Sequence, residues 1–352
     1  MFATPVDIAN VALQNLGQPR IASFAENSRG AQESAFCYDK LRQDELRSHV
    51  WRFASRRAAL RPVTATSYLL TFATWAIGTT YSKGMIVLYT PTNSDGQAVP
   101  FISLAASNTG NAPDTTPLWW EPYFGSICAD AYSSGNTYSV GEIVGATSTF
   151  YLSWTNANIG NTSSGGTPWS ANINATGTLL WTPYPITQVT SLAGSSRTQY
   201  RLPFGYLRVA PQDAKTAGVA YQVTSAGMQF SDYQLEGNYL LTSQATLVST
   251  LGPIIFRFVA DINAVPMFDP LFSRALAARM AFEMCETLTQ NPKLKQDCGT
   301  MYDRFVAEAK SVNQIEQGQT DPADADFPLA RIPSAAPRGG GGQIGHTINV
   351  GG

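Results

Sequence analysis

The sequence has few charged residues and carries almost no net charge. Only 14% of its 352 residues are Asp, Glu, Lys or Arg, about half of the ~25% that is usual in soluble proteins. The formal net charge is −2, whereas nucleic-acid-binding surfaces use clustered Lys and Arg to neutralise phosphates. The composition therefore argues against a DNA-binding protein of the basic-patch kind, and it predicts that any DNA nearby is held without specific binding.

Histidine and cysteine are also scarce. The sequence contains only two histidines, His49 and His346. A Ser/His/Asp or Cys/His catalytic arrangement would have to use one of them as its base. The four cysteines form no C-x-x-C pair, which favours reduced thiols over disulfides or a metal cage. Because H-E-x-x-H and P-loop motifs are absent as well, we expect no catalytic residues, no cofactor and no metal site.

Long hydrophobic runs are missing. No stretch approaches the ~18 apolar residues of a membrane-spanning helix, and the first ten residues, MFATPVDIAN, lack the basic and apolar regions of a signal peptide. We therefore expect a protein that is made in the cytoplasm and does not span a membrane.

The shortage of charge is local. Between Pro62 and Ser196, only six of 135 residues are charged, and Ser, Thr, Asn and Gly take the place of the others. Such a segment lacks the charged surface of a conventional helix. Its composition favours β structure with an exterior rich in hydroxyl and amide groups.

Both flanks of this segment show helical patterns. Residues 5–61 are predicted to be helical, with Arg42 on the solvent face of the second helix. Downstream, Asp269-Pro270 has the chemistry of a helix start, and Asn291-Pro292 separates two amphipathic stretches that are predicted to form a hairpin. The two flanks are expected to pack together around the insertion.

Between the insertion and the hairpin, the hydrophobic period drops to two. Four segments show this alternation, and Gly237-Asn238 is suited to a hairpin turn between two of them. The segments are Phe204–Val209, Val219–Val223, Gln234–Leu241 and Ile254–Val259. The predicted fold class is therefore α+β, with a helical domain formed by both flanks, a small antiparallel sheet and an inserted all-β region.

The inserted region contains an internal repeat. Thr80–Val87 (TYSKGMIV) and Thr137–Val144 (TYSVGEIV) agree at six of eight positions. Three further blocks follow in the same order in both copies. The blocks are paired as Phe101–Leu104 with Tyr151–Trp154, Asn108–Asn111 with Asn158–Asn161, and Trp120–Tyr123 with Trp181–Tyr184. The sequence thus predicts two small β modules, a first copy over about residues 70–124 and a second copy over about 128–185.

Each copy resembles the small carbohydrate-binding modules that accompany chitinases and cellulases. The resemblance rests on an aromatic start, a Tyr-x-x-Gly-x-x-Val strand, Asn-x-Gly-Asn and a closing Trp. It implies that exposed indoles stack on sugar rings, while the alternative is that repeated aromatics form the core of so small a module. Trp119 and Trp154 lack an aromatic counterpart and are the better surface candidates. The candidate contacts with a glycan or a fibre are Trp119, Trp120, Trp154, Trp169 and Trp181.

The last segment, residues 320–352, has no hydrophobic period and two glycine clusters. Short apolar islands on such a segment are typical of an arm that orders itself on a neighbouring protein. We expect this arm to be flexible and to bind a partner through its islands. The candidate residues are Phe327, Leu329, Arg331, Ile332, Ile344, Ile348 and Val350.

The flanking segments, taken together, resemble the head-to-tail adaptors of short-tailed bacteriophages, the tail tubular protein A family. The resemblance covers about half of the chain and rests on the order of patterned segments. These are Asp7–Pro19 (DIANVALQNLGQP), Ala35–Leu60 with its WRFASRRAAL ending, Tyr233–Leu241 (YQLEGNYLL), Phe256–Asp261 (FRFVAD) and Phe268–Ala281 (FDPLFSRALAARMA). Such adaptors commonly lack the insertion in this form.

The resemblance implies a structural virion protein rather than an enzyme. Members of the family form dodecameric rings between the portal and the hexameric tail nozzle, and they line the channel through which double-stranded DNA leaves. The resemblance also implies that the arm binds the portal, and that the protein resides in the phage tail after assembly in the host cytoplasm. The alternatives are a tail protein that binds host-surface glycan and, less favoured, a cell-wall glycan hydrolase using Glu121, Asp130 or Glu142.

The predicted organisation has five segments. Residues 1–61 and 191–319 form the adaptor domain, 62–127 and 128–190 the two inserted modules, and 320–352 the extended arm.

Overall fold

The structure is a computed structural model, and it describes residues 2–64, 66–91, 97–146, 149–161, 169–170, 175–179, 198–210, 233–242 and 253–316. This part of the chain has a mixed α and β composition, consistent with the α+β class. Its helices are α1 (Pro5–Asn15), α2 (Arg29–Ser48), α3 (Pro270–Thr289) and α4 (Pro292–Glu316).

The strands are short and are distributed over several small sheets. In the first part of the chain they are β1 (Ser55–Leu60), β2 (Tyr68–Phe72), β3 (Thr80–Tyr81), β4 (Ile86–Tyr89), β5 (Val99–Ser103), β6 (Asn108–Thr109) and β7 (Trp120–Pro122). They continue as β8 (Cys128–Ala131), β9 (Ile143–Ala146), β10 (Thr149–Ser153), β11 (Trp169–Ser170), β12 (Ala175–Leu179), β13 (Thr198–Arg201), β14 (Tyr206–Val209), β15 (Tyr233–Glu236), β16 (Tyr239–Thr242) and β17 (Ile254–Ala260).

Among the described strands, the sheet orders separate the insertion from its flanks. The flanks form the sheets β1-β17-β14 and β13-β16-β15. The inserted region forms β4-β5-β7, β3-β6 and the six-stranded sheet β11-β10-β9-β8-β2-β12. The pairing is antiparallel between neighbouring strands except for β8 and β9, which are parallel.

The ends of α1 follow from local chemistry. The Thr4 hydroxyl accepts a hydrogen bond from Asp7 N–H, and the Asp7 carboxylate accepts one from Thr4 N–H, which together form a capping box. Gly17, at φ +67°, lies just beyond the helix end, in a conformation that glycine adopts without steric cost. Local hydrogen bonding therefore defines the start of this helix, and a glycine follows its end.

Helix α3 is the centre of the helical body, which comprises α1 to α4 and the sheet β1-β17-β14. It packs against α1, α2 and α4, and buried side chains lie on most of its circumference, as expected of a helix that is surrounded. The Asn291 side chain accepts hydrogen bonds from Lys293 N–H (3.1 Å) and Leu294 N–H (3.2 Å), which caps α4. The predicted helical hairpin with its Asn-Pro turn is thus confirmed.

The prediction that residues 5–61 are helical is wrong at its C-terminal end. Helix α2 stops at Ser48, and β1 pairs antiparallel with β17 along its whole length. Ala58 and Leu60 alternate into the same core as Phe256. Long-range pairing thus overrides a local pattern that is compatible with a helix.

Arg42 does not face solvent. Its side chain is 3% exposed and donates to the carboxylates of Asp39 and Asp261 and to the carbonyl of Ile262 (2.7 Å). Two carboxylates compensate the buried charge, and the contact fixes α2 to the end of β17. A helical pattern alone does not reveal a partner that lies more than 200 residues away.

The prediction of one small sheet between the insertion and the hairpin is wrong, because β14 and β17 belong to one sheet and β15 and β16 to another. Gly237-Asn238 connects β15 and β16 as a hairpin, whereas Val219–Val223 lies outside the described residues.

All four cysteines are free, and burial raises the pKa of Cys37 and of Cys128 to about 12. Within the described residues, no helix combines the length and apolar character needed to cross a membrane.

Candidate functional site

The inserted region is built from two copies of one hydrogen-bonded unit. In the first copy, the Tyr81 hydroxyl accepts a hydrogen bond from Ala76 N–H (2.7 Å); in the second, the Tyr138 hydroxyl accepts one from Ser133 N–H (2.8 Å). Each tyrosine therefore closes a loop that begins five residues before it. Both rings are 1% exposed, so the tyrosines also serve as core residues.

A relay of small polar side chains recurs in the same form. In each copy an asparagine amide donates to a serine hydroxyl, and a second asparagine donates to the first one. The inner asparagine of each relay is buried, and these hydrogen bonds satisfy its amide and hold the loop after the central strand. The relays are Asn111–Asn108–Ser103, with distances of 2.9 and 3.2 Å, and Asn161–Asn158–Ser153, with distances of 2.9 and 3.0 Å.

One indole closes each relay. Trp120 Nε1 donates to Asn111 O (2.9 Å), and Trp169 Nε1 donates to Asn161 O (3.2 Å). The pairing of Trp120 with Trp181 in the sequence alignment is therefore wrong, because the position equivalent to Trp120 is taken by Trp169. The signal was present in the sequence, since Trp120 and Trp169 follow their Asn-x-Gly-Asn motifs by nearly the same number of residues.

Trp120 and Trp169 are interior residues. They are 2% and 3% exposed, and their rings lie 5.3 and 5.2 Å from Tyr81 and Tyr138. Covered in this way, neither indole offers a free face to a sugar or a fibre. The core alternative accounts for both of them, while Trp181 lies outside the described residues.

Trp119 and Trp154 are both half-buried, but in different settings. Trp119 packs at the margin of the outer aromatic cluster of the first copy, next to Leu118, which is 87% exposed. Trp154 instead contacts the other copy: Lys83 Nζ lies 4.9 Å from its ring centroid, and a Cβ on Gly84 would lie 2.9 Å from the ring. Of the two, Trp119 is therefore the one that stays available at a surface.

The two copies share an apolar core. Strand β2 pairs with β8, and side chains of both copies meet in one cluster between them. Alternation along the strands divides the residues: Ile86 and Ile143 enter the shared core, whereas Val87 and Val144 enter the separate outer clusters. Each copy therefore depends on the other for part of its interior.

An ion pair joins the second copy to the helical body. Arg61, directly after β1, places Nε 2.5 Å from Glu142 Oε1, and it also donates to the carbonyl of Thr137. Its guanidinium lies 4.7 Å from the centroid of the Tyr138 ring, within the range of a cation–π contact. Burial raises the pKa of Glu142, an effect that Arg61 opposes.

A second, half-buried carboxylate lies at the same junction. Asp130 accepts a hydrogen bond from the Ser67 hydroxyl, and burial raises its pKa. Asp130 and Glu142 are thus engaged in structural contacts, while Glu121 lies exposed on β7. Across the described ranges, no group of three or more His, Cys, Asp or Glu side chains is placed to hold a metal ion.

The copies differ at the position of Glu142. Its second oxygen accepts a hydrogen bond from Ser139 N–H; in the first copy, the Sδ of Met85 stands 3.4 Å from Ser82 N and accepts the equivalent bond. A thioether is a weak acceptor and provides no charge for an arginine. The carboxylate therefore retains the turn and adds the connection to Arg61.

The predicted arm, including Phe327, Leu329, Arg331, Ile332, Ile344, Ile348 and Val350, lies outside the described residues. No protein-family model matches this sequence, and no curated protein is significantly similar to it.

Proposed function

We propose that this chain is a structural virion protein, a ring-forming adaptor that joins the portal to the tail nozzle and lines the DNA exit channel. The observation that carries the proposal is that the segments resembling head-to-tail adaptors come from both flanks and interlock in one body. Trp51 packs edge-on against Phe272 at 5.1 Å, and Arg42 pairs with Asp261. The insertion starts after Leu60, so these contacts are made without it.

The charge balance is compatible with this role. A net charge of −2 gives passing DNA little to bind, because retention on a phosphate backbone needs clustered cations. The protein would be made in the host cytoplasm and act in the tail, without catalytic chemistry or a cofactor.

Assembly with the portal tests the proposal. We expect the purified chain, mixed with the portal of the same phage, to give rings in negative-stain images and a mass in light scattering that fits about a dozen copies. A chain that remains monomeric and ignores the portal would reject the proposal.

The arm can be tested separately. Deleting residues 320–352 is expected to leave the helical body folded, as judged by circular dichroism and thermal melting, and to weaken capture of the portal in a pull-down. Unchanged capture would remove the arm from the interface while leaving the adaptor proposal in place.

A second candidate is binding of host-surface glycan through the inserted modules. The observation that favours it is the half-buried Trp119 beside the exposed Leu118, since an accessible indole face suits a pyranose ring. Titrating the full chain with peptidoglycan and lipopolysaccharide fragments should show binding that Trp119→Ala abolishes. Ile159→Ala, at an exposed position of the second copy, is the matched control. No binding across such a panel would leave the modules a structural role or a role in docking fibres.

A further inference from the structure

One buried side chain near the end of α4, that of Asn313, makes several contacts with the segment between α2 and β1. Asn313 is 8% exposed, and its Oδ1 accepts a hydrogen bond from Arg52 N–H (2.8 Å). Its Nδ2 donates to Val50 O (3.0 Å) and lies 3.0 Å from His49 Nε2. The Asn313 amide thus connects the last turns of α4 to three residues of the segment between α2 and β1.

The backbone partners fix the orientation of this amide and thereby the state of the histidine. Arg52 N–H requires an oxygen opposite it, and Val50 O requires an N–H, so Asn313 cannot be flipped without losing both bonds. The remaining Nδ2 hydrogen points to His49 Nε2, which must accept it. His49 is therefore neutral, with its proton on Nδ1. A proton on Nε2 would place two donors, His49 Nε2–H and Asn313 Nδ2–H, opposite each other.

The charges around His49 act in the same direction. Burial holds the pKa of His49 below its ordinary value, and the positive charges of Lys310 on α4 and Arg208 on β14 add to this effect. Arg208 already donates to the carbonyls of Arg47 (2.9 Å) and Ser48 (3.3 Å) at the end of α2, where an imidazolium would otherwise find acceptors.

The nearby carboxylates are engaged elsewhere. Glu45, one turn earlier on α2, accepts a hydrogen bond from the Tyr302 hydroxyl (2.5 Å). Glu316 pairs with Arg52 at 3.4 Å on the exposed side. The remaining neighbour is the Trp51 ring, edge-on at 5.0 Å, so no carboxylate is positioned to stabilise a protonated His49 in the described surroundings.

We propose that His49 and Asn313 form an acid-sensitive clasp that fixes the last turns of α4 to the α2–β1 connection and releases them when His49 is protonated. Because the folded pKa of His49 is lowered, the stabilisation is complete above its unfolded value of ~6.5 and is lost as the pH falls through the folded pKa. The clasp acts on the helix that precedes the arm in the sequence; an effect on portal binding is the one step that rests on the proposed function.

The tautomer of His49 gives a direct test. The chain has only two histidines, so His346→Asn leaves His49 as the only imidazole. Nitrogen NMR of this variant should show the Nδ1–H tautomer at neutral pH and a titration below ~6.5. An Nε2–H tautomer, or a titration at or above that value, would overturn the proposal.

Hydrogen exchange tests the release. Between about pH 7.5 and about pH 5, amide protection corrected for intrinsic exchange should fall severalfold in α4 residues 306–316 and remain unchanged in α1. His49→Gln, whose amide oxygen accepts from Asn313 but does not titrate, should retain protection at both values. An equal loss in wild type and His49→Gln would refute the clasp. If His49→Gln does not fold, the NMR result decides. Neither measurement involves the portal, so a failed clasp and a failed adaptor proposal are distinguishable.

Discussion

The two copies of the inserted unit have the same interior and different edges. Both retain the tyrosine-closed loop, the Ser-Asn-Asn relay and the closing indole, with distances that agree within a few tenths of an ångström. They differ at positions where only one copy contacts its neighbour: Gly84 lies against Trp154 of the other copy, and Glu142 pairs with Arg61 of the helical body. The repeated residues therefore specify the fold, and the substitutions between copies specify attachment.

Two positions show the difference. Gly84 and Gly141 have nearly the same φ, +87° and +85°, because both occupy the same turn. Only Gly84 is approached by the Trp154 ring; nothing lies within 4 Å of a Cβ on Gly141. The copies therefore associate asymmetrically, and the second copy also carries Glu142, which pairs with the helical body.

The largest effect is expected from the closing indoles. Trp120→Ala and Trp169→Ala should each lower the free energy of unfolding by about 3–5 kcal/mol, because each removes a buried ring and leaves a cavity. Trp119→Ala, at a half-buried site, should cost roughly 1 kcal/mol. Urea denaturation of the three variants makes the comparison. If Trp169→Ala were no more costly than Trp119→Ala, the equivalence of Trp120 and Trp169 would fail.

The next effect separates the copies. Arg61→Ala leaves Glu142 buried without its cation and should cost roughly 3 kcal/mol, together with faster hydrogen exchange in β9 and β10. Adding Glu142→Met, which gives the second copy the residue of the first, should restore much of the loss. An Arg61→Ala variant as stable as wild type would show that the junction does not depend on the ion pair.

Disrupting the polar relay should lower the free energy of unfolding by less than the preceding substitutions, and by the same amount in both copies. Asn108→Ala and Asn158→Ala each remove the donor to a buried serine hydroxyl and the acceptor for a second asparagine, and should lower the free energy of unfolding by about 1–3 kcal/mol. Denaturation midpoints measured side by side provide the check. Losses differing by more than about 1 kcal/mol would mean that the shared hydrogen bonds have unequal weight.

Much of this architecture could be predicted from residue patterns. The Thr4–Asp7 capping box, the Asn291 cap and the repeated Tyr-x-x-Gly motif act over a few residues, and such local chemistry is visible in the sequence. The helical pattern predicts the wrong side of α2 for Arg42, because its partner Asp261 is distant in sequence and becomes adjacent only after folding. The four-residue match of Trp120–Tyr123 with Trp181–Tyr184 is misleading, because the hydrogen bond to Asn161 O depends on spacing, which Trp169 satisfies.

The smallest effect concerns pH and isolates the residue that distinguishes the copies. Burial raises the folded pKa of Glu142 above its unfolded value, so its contribution to the free energy of unfolding grows as the pH falls through the folded pKa and is lost as the pH rises through it. The free energy of unfolding of wild type minus that of Glu142→Gln should therefore increase on acidification, by about 1.4 kcal/mol if the folded and unfolded pKa values differ by one. Asp130, which is half-buried and also has a raised pKa, is present in both proteins and cancels to first order. Met85→Gln, at the equivalent site of the first copy, should give no such slope. A difference that decreases on acidification would mean that Arg61 outweighs burial, and that the ion pair stabilises the junction by more than the cost of removing the carboxylate from water.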